Sequence, residues 1–326
     1  MRRRKFLMLL GTVAVAVPLV ARADKTHRIG VLMNFPSEDP EGQRRIAAFL
    51  PALQKFGWTE GSNIRIDVRW AGDDADVTRR YAEELVALTP EVVLASGSST
   101  VAALQRVTTN VPIIFANIAD PVGAGFVGSL GRPGGNTTGF LGFEYSIGGK
   151  WAELLKKLAP HTTRVAVLRD PTVAASIGLF AVIQSGASSP GIELSVIDSR
   201  YANEIERGLA TFGREPNGGI ITTPTASAVT HRKLIISLLR RYRLPDIYAF
   251  RYYPADGGLA SYGPDPVETY KRAADYVDRI LKGATPSELP VQAPIKYELV
   301  LNLKSAKTLG LEIPSSLLAT ADDVIE

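Results

Sequence analysis

The chain contains no cysteine, and among its 326 residues there are only three histidines, three methionines and three tryptophans. Without cysteine there is no disulfide framework, no thiolate metal site, no thiol nucleophile and no lipid-modified cysteine anchor. His27, His161 and His231 are too scattered to share the spacing of metal ligands, so neither a metal nor a cofactor is expected. No apolar run reaches the ~20 residues that a membrane-crossing helix needs. The longest spans residues 6–20 and contains Pro18. What remains is ordinary globular material. A hydrophobic share of 45% with 21% charged residues excludes disordered and coiled-coil classes. The length suits about two domains of ~150 residues.

The formal charge of +4 invites a nucleic-acid reading, but it is unevenly spread. Arg2, Arg3, Arg4, Lys5 and Arg22 lie in residues 1–23, which hold no acid. A basic start, the apolar run 6–20 and the small-x-small site Ala21-Arg22-Ala23 have the form of an export signal cleaved after Ala23. An uncleaved anchor is the other reading of the same residues. Arg3-Arg4-Lys5-Phe6-Leu7 matches part of a twin-arginine signal, with Arg2 where Ser or Thr is usual, so both export routes stay open. Cleavage leaves 32 basic and 33 acidic residues, a net charge of −1. The expected mature protein is soluble and periplasmic, with no nucleic-acid partner and no membrane insertion after signal cleavage.

From residue 28 onward, short β-branched runs alternate with amphipathic stretches. Strands are expected at 28–33, 63–70, 92–95, 111–116 and 136–143, with helices at 41–56, 76–88 and 99–107 between them. The pattern restarts with helices at 149–158, 172–185, 204–212 and 226–242, and strands at 164–168, 193–197, 219–223 and 246–250. Continuous apolar strands between helices indicate parallel sheets covered on both faces. The fold class is therefore α/β, with two doubly wound parallel-sheet lobes joined by a hinge. The tail, with a strand at 258–262, a helix at 266–281 and a strand at 297–301, is too short for a third domain. The expected division is residues 24–144 plus 259–288 in lobe 1, and 145–258 plus 289–326 in lobe 2.

Ligands of open parallel sheets bind beyond the carboxyl ends of the strands. Those positions hold Asn34, the run Ser96-Gly97-Ser98-Ser99-Thr100, Asn117 and Asp120 in the first lobe. In the second they hold Arg169, Thr223, Thr225, Tyr252 and, after the returning strand, Tyr262. Residues 96–100 combine a glycine, hydroxyls and a helix N-terminus, which suits a carboxylate or other small anion. Simple capping of the helix by Ser98 or Ser99 explains the same residues. Asp120 before Pro121 is either a partner for an ammonium group or a turn residue. Tyr252 and Tyr253 at a strand end suit a cleft wall, and packing is the alternative. Arg169 can hold a carboxylate or simply be solvated.

Searches for catalytic motifs fail. Gly97-Ser98-Ser99 and Gly186-Ala187-Ser188 both lack the second glycine of a nucleophile elbow. Residues 148–151 lack the first Gly and the Ser/Thr of a phosphate loop. Residues 123–128 form a literal G-x-G-x-x-G, but Gly131 and Pro133 interrupt any helix after it. The chain is not read as an enzyme.

Several segments together resemble one family. They are Arg28-Ile-Gly-Val-Leu, Val111-Pro-Ile-Ile-Phe-Ala, Asp120-Pro-Val-Gly-Ala-Gly-Phe-Val, Arg132-Pro-Gly-Gly-Asn-Thr-Thr-Gly139, Gly257-Gly-Leu-Ala-Ser-Tyr-Gly263 and Leu301-Asn-Leu-Lys-Ser-Ala-Lys-Thr-Leu-Gly-Leu. In this order they are similar to the ABC transporter substrate-binding proteins of the tryptophan/tyrosine type. The resemblance implies a type I periplasmic-binding, venus-flytrap fold with three hinge strands. It also implies a small-molecule solute, amino acid or aromatic or branched acid, passed to a membrane permease with a cytoplasmic ATPase. By the same resemblance, Gly97, Ser98, Ser99 and Thr100 meet the ligand's carboxylate, Asp120 matches the family's Asp-Pro, and Thr223-Pro224-Thr225 replaces a turn that often carries Asp or Asn. A monomer is expected. A ligand-sensing partner of a membrane receptor is the alternative role for the same cleft.

Overall fold

A computed structural model describes residues 26–186 and 192–326. The export-signal reading of residues 1–23 and the Gly186-Ala187-Ser188 segment beyond Gly186 lie outside the described residues. The first lobe opens with β1 (His27–Met33), α1 (Pro40–Lys55), β2 (Ile64–Trp70), α2 (Ala75–Ala87), β3 (Val92–Ser96), α3 (Gly97–Val107), β4 (Ile113–Ile118) and β5 (Thr137–Leu141). Its five strands run parallel in the order β2-β1-β3-β4-β5.

Period-2 alternation decides what each face of this sheet meets. Val92, Leu94, Ile114 and Ala116 point to one side, against Phe49 and Leu53 of α1. Val93, Ala95, Ile113 and Phe115 point to the other, against Leu85 of α2 and Leu104 of α3. Burial on both faces is what selects the continuous apolar strands.

The second lobe follows with α4 (Ile147–Leu158), β6 (Arg164–Arg169), α5 (Ala174–Gly186), β7 (Glu193–Asp198), α6 (Ala202–Phe212) and β8 (Gly218–Thr222). Next come α7 (Ala226–Thr230), α8 (Arg232–Tyr242), β9 (Asp246–Tyr248), α9 (Tyr252–Ala255) and β10 (Ala260–Gly263). After α10 (Pro266–Leu281) and a 3-10 turn at Pro286–Glu288, the chain ends in β11 (Glu298–Asn302), α11 (Leu303–Leu309), α12 (Ser315–Thr320) and β12 (Asp323–Ile325). The second sheet has the order β12-β11-β10-β9-β8-β6-β7, with β10 and β11 antiparallel and every other pair parallel.

Three details differ from the sequence reading. The single helix expected over 226–242 is two, because His231 ends α7 and begins α8. The strand at 258–262, assigned to lobe 1, is β10 of the second sheet, held there between β9 and β11. The chain reaches lobe 1 one element later, with α10, whose Tyr270, Ala273 and Val277 join the core beneath α1. Residues 289–292, assigned to lobe 2, also stay on lobe 1: Leu289 packs in that core, and Gln292 N–H donates to Gly139 O at 2.9 Å. The chain therefore passes between lobes after β5, after β10 and before β11.

Candidate functional site

The strands of both lobes end around a cavity of about 120 Å³ lying between the two sheets. The first-lobe wall is built from strand ends: Asn34 and Phe35 after β1, residues 96–99 at the β3–α3 junction, and Asn117 in β4. Arg45 reaches the same wall from α1. Val173, Ala175, Pro224, Thr225, Val229 and Tyr252 face them from the second lobe, and Phe143 closes one end.

The start of α3 is open. Ser96 occupies the N-cap position but makes no side-chain cap, because its hydroxyl donates to Asn34 Oδ1 at 2.6 Å. Ser98 and Ser99 lie inside the first turn, so capping does not account for either of them. Gly97 has φ +78, and a Cβ there would lie 2.7 Å from Asn34 Nδ2. Only glycine lets the backbone turn this tightly against Asn34. The first N–H groups of an 11-residue helix thus meet the cavity with their partial positive charge uncapped. Thr100 is different. It is fully buried, and its hydroxyl donates to Ser96 O and Gly97 O, both at 2.9 Å, off the cavity wall.

Asn117 has φ 61, a left-handed conformation in mid-strand, and the β4–β5 register shifts beside it, between Ala116 and Ile118. Its Oδ1 and Nδ2 are both buried, and neither has a hydrogen-bond partner. Such a group costs free energy until something bonds it. Arg45 is 3% exposed and donates from Nε to Glu41 Oε1 at 3.1 Å. Its guanidinium carbon lies 4.6 Å from the Phe35 ring centroid. Burial works against its charge, but Glu41, Tyr270 and Tyr252 outweigh it and hold the guanidinium above its ordinary range.

Of the residues singled out in the sequence, Asn34, Gly97, Ser98, Ser99, Asn117, Thr225 and Tyr252 line the cavity. Thr100, Asp120, Arg169, Thr223 and Tyr262 do not. Asp120 has both oxygens engaged: Oδ1 accepts from Gly123 N–H at 2.7 Å and Oδ2 from the Tyr145 hydroxyl at 3.0 Å. Arg169 lies over the Phe180 ring at 5.0 Å, with Nε buried and unpartnered. Thr223 donates to Leu168 O at 2.9 Å. Tyr262 stacks on Tyr297, with centroids 5.9 Å apart.

Tyr252 stacks against Tyr253 and Phe250 and carries Arg232 over its face at 5.2 Å. Burial raises its phenol well above the ordinary value. Arg232 also spans the lobes, donating to Asp256 Oδ2 at 2.6 Å and to Asp39 Oδ2 at 3.4 Å. Arg45 is the charged wall residue that reading strand ends missed, along with the apolar Phe143, Val173, Ala175 and Val229. The signal for Arg45 was its place beside Ile46, Phe49 and Leu53 on the buried face of α1, one helical turn from Glu41.

The chain's relatives bear on what occupies such a cavity. The family described as "ABC transporter substrate binding protein" matches residues 31–325. A tyrosine-binding protein of Clostridioides difficile (strain R20291) is 24% identical over 293 residues, 90% of this chain and 83% of its own length. The solved ABC domain from Streptococcus pneumonia in complex with L-Trp superposes with a TM-score of 0.84 at 25% identity, covering 92% of this chain and all of that one. A conserved domain protein from Vibrio cholerae O1 biovar El Tor superposes with a TM-score of 0.86 at 27% identity, with the same coverage.

Proposed function

The chain belongs to the ABC transporter substrate-binding family, and from that premise we propose that it is the exported solute-capturing component of an ABC importer. In this reading residues 1–23 direct export and are removed after Ala23. The mature monomer works in the periplasm and hands its ligand to a membrane permease driven by a cytoplasmic ATPase. The ligand is a small carboxylate of amino-acid size, and it leaves chemically unchanged.

One observation carries the reading: an uncapped helix N-terminus and Asn117, whose amide is unpartnered, line a cavity between two lobes that the chain crosses three times. The carboxylate sits at the start of α3, where backbone N–H groups and the hydroxyls of Ser98 and Ser99 donate to it. Asn34 and Gly97 shape that turn, while Thr225 and Tyr252 close from the other lobe. The relatives named for tyrosine and L-Trp support a carboxylate with an apolar side chain. Asp120 and Thr100 act behind the wall, holding the turns. Closure places second-lobe residues over the bound solute and creates the surface that a permease reads.

The test is a thermal-shift panel on residues 24–326, first unfolded and refolded to strip carried-over solute. Ligand at ~100 times its dissociation constant adds about 2.7 kcal/mol, a shift of several degrees at this size. A shift with carboxylates, returned as unaltered solute on extraction, is expected. Shifts confined to sugars or cations, or conversion of the solute to a product, would overturn the reading.

A further inference from the structure

Resting on the carboxylate reading above, we propose that the cleft selects a 2-hydroxy acid over the corresponding amino acid, with Asn117 reading the hydroxyl. Two independent observations lead there. The first is charge. Among the described residues lining the cavity there is no Asp or Glu, and the charged residue on the wall is a cation, Arg45. The acids nearby are committed elsewhere. Glu41 pairs with Arg45 and Arg44, Asp39 caps α1 and meets Arg232, and Asp120 holds Gly123 and Tyr145. A desolvated ammonium group needs a carboxylate or a full set of acceptors. No carboxylate lines this wall, and the charged side chain that does is Arg45, whose Nε is paired with Glu41.

The second observation is the Asn117 amide, which presents one unpartnered acceptor and one unpartnered donor group together. A hydroxyl both accepts and donates, so it answers both atoms. A keto oxygen leaves Oδ1 unpaired, a methylene leaves both unpaired, and an ammonium group has nothing to offer Nδ2. A zwitterion could divide its carboxylate and ammonium between the two atoms, but only by bringing its positive charge to a wall that no carboxylate lines. The cavity is about 120 Å³ and takes the head group together with the side chain, so the side chain is compact.

The probes are three matched triads on the stripped mature chain: 2-amino, 2-hydroxy and 2-deoxy acids bearing phenyl, isobutyl or indolyl groups, titrated calorimetrically. Within at least one triad the hydroxy acid is expected to bind about tenfold or more tighter than the amino acid, and about tenfold tighter than the deoxy acid. Asn117→Gly removes the amide and keeps the left-handed backbone free of strain. It should abolish the preference for hydroxy over deoxy acid while leaving deoxy-acid binding in place. An amino acid that binds as tightly as its hydroxy analogue overturns the selectivity and leaves the carboxylate reading standing. An unchanged hydroxy-to-deoxy ratio in Asn117→Gly overturns the role of Asn117. No binding by any member of the triads removes both the inference and the reading beneath it.

Discussion

On the first-lobe wall of the cavity, Asn117 keeps both amide atoms unpartnered and α3 begins without a side-chain cap. Across the gap, several of the second lobe's hydroxyls meet one another, while the buried Tyr252 hydroxyl has no partner. Ser176 meets Thr223 at 3.2 Å, Ser199 meets Ser227 at 3.3 Å, Thr225 meets Ser227 at 3.1 Å, and Thr225 caps α7 through Ala228 N–H. The rest of what it turns to the cavity is largely apolar: Val173, Ala175, Pro224, Ala226 and Val229. On the first wall the open bonding capacity is a side-chain amide and a helix start; on the second it is the Tyr252 hydroxyl, set among apolar side chains. In the proposed reading, a polar ligand takes most of its hydrogen bonds on the first lobe and meets an apolar face with one free phenol on the second.

The largest expected effect tests the second lobe through its buried carboxylate. Asp246 is 5% exposed, and burial pushes its carboxyl up to about 7, although Leu259 N–H donates to it at 2.6 Å. Its folded-state pKa lies above the unfolded value, so the folded form is the better proton binder. The contribution of this carboxyl to stability is then fully present below about pH 4, falls as pH rises from about 4 to about 7, and is lost above. The fall is on the order of 4 kcal/mol. Urea denaturation at several pH values checks it, and Asp246→Asn should flatten the profile. A slope unchanged by that substitution would place the effect elsewhere.

Next in size is the first wall. Arg45→Met leaves Glu41 buried without its main partner, which should cost about 3 kcal/mol of stability. It should also weaken carboxylate binding by more than tenfold, read by denaturation and calorimetry on one preparation. Stability loss with unchanged affinity would mean that Arg45 only props the wall. The smallest effect sharpens the contrast from the other side. Thr225→Ala removes the α7 cap and should cost about 1 kcal/mol. Affinity should stay within about twofold, because the hydroxyl already has its partners.

How much could be read from sequence follows from what kind of position each residue holds. Parallel strands buried on both faces announce themselves as apolar runs, so β1, β3, β4 and β8 were legible, and their ends led directly to Asn34, residues 96–99, Asn117 and Thr225. Arg45 was not legible that way, because it reaches the wall from the middle of a helix. Asp120 follows a strand, yet its oxygens turn to Gly123 and to Tyr145, a residue 25 positions away, and no local pattern shows that bond. The placement of β10 failed for a similar reason: its antiparallel partner β11 arrives only after the excursion through α10.

That excursion has a consequence for how the chain is made. The first lobe's five strands are complete by Leu141, but part of its apolar interior, from Tyr270 to Leu289, is synthesised more than a hundred residues later. The second sheet in turn waits for β11 and β12, which lie beyond that segment. The first half is complete only after Leu289 and Gln292 have emerged, and the second only after β12, at Asp323–Ile325. A product truncated near residue 264 would leave the α1 side of the first sheet uncovered, an apolar surface prone to self-association.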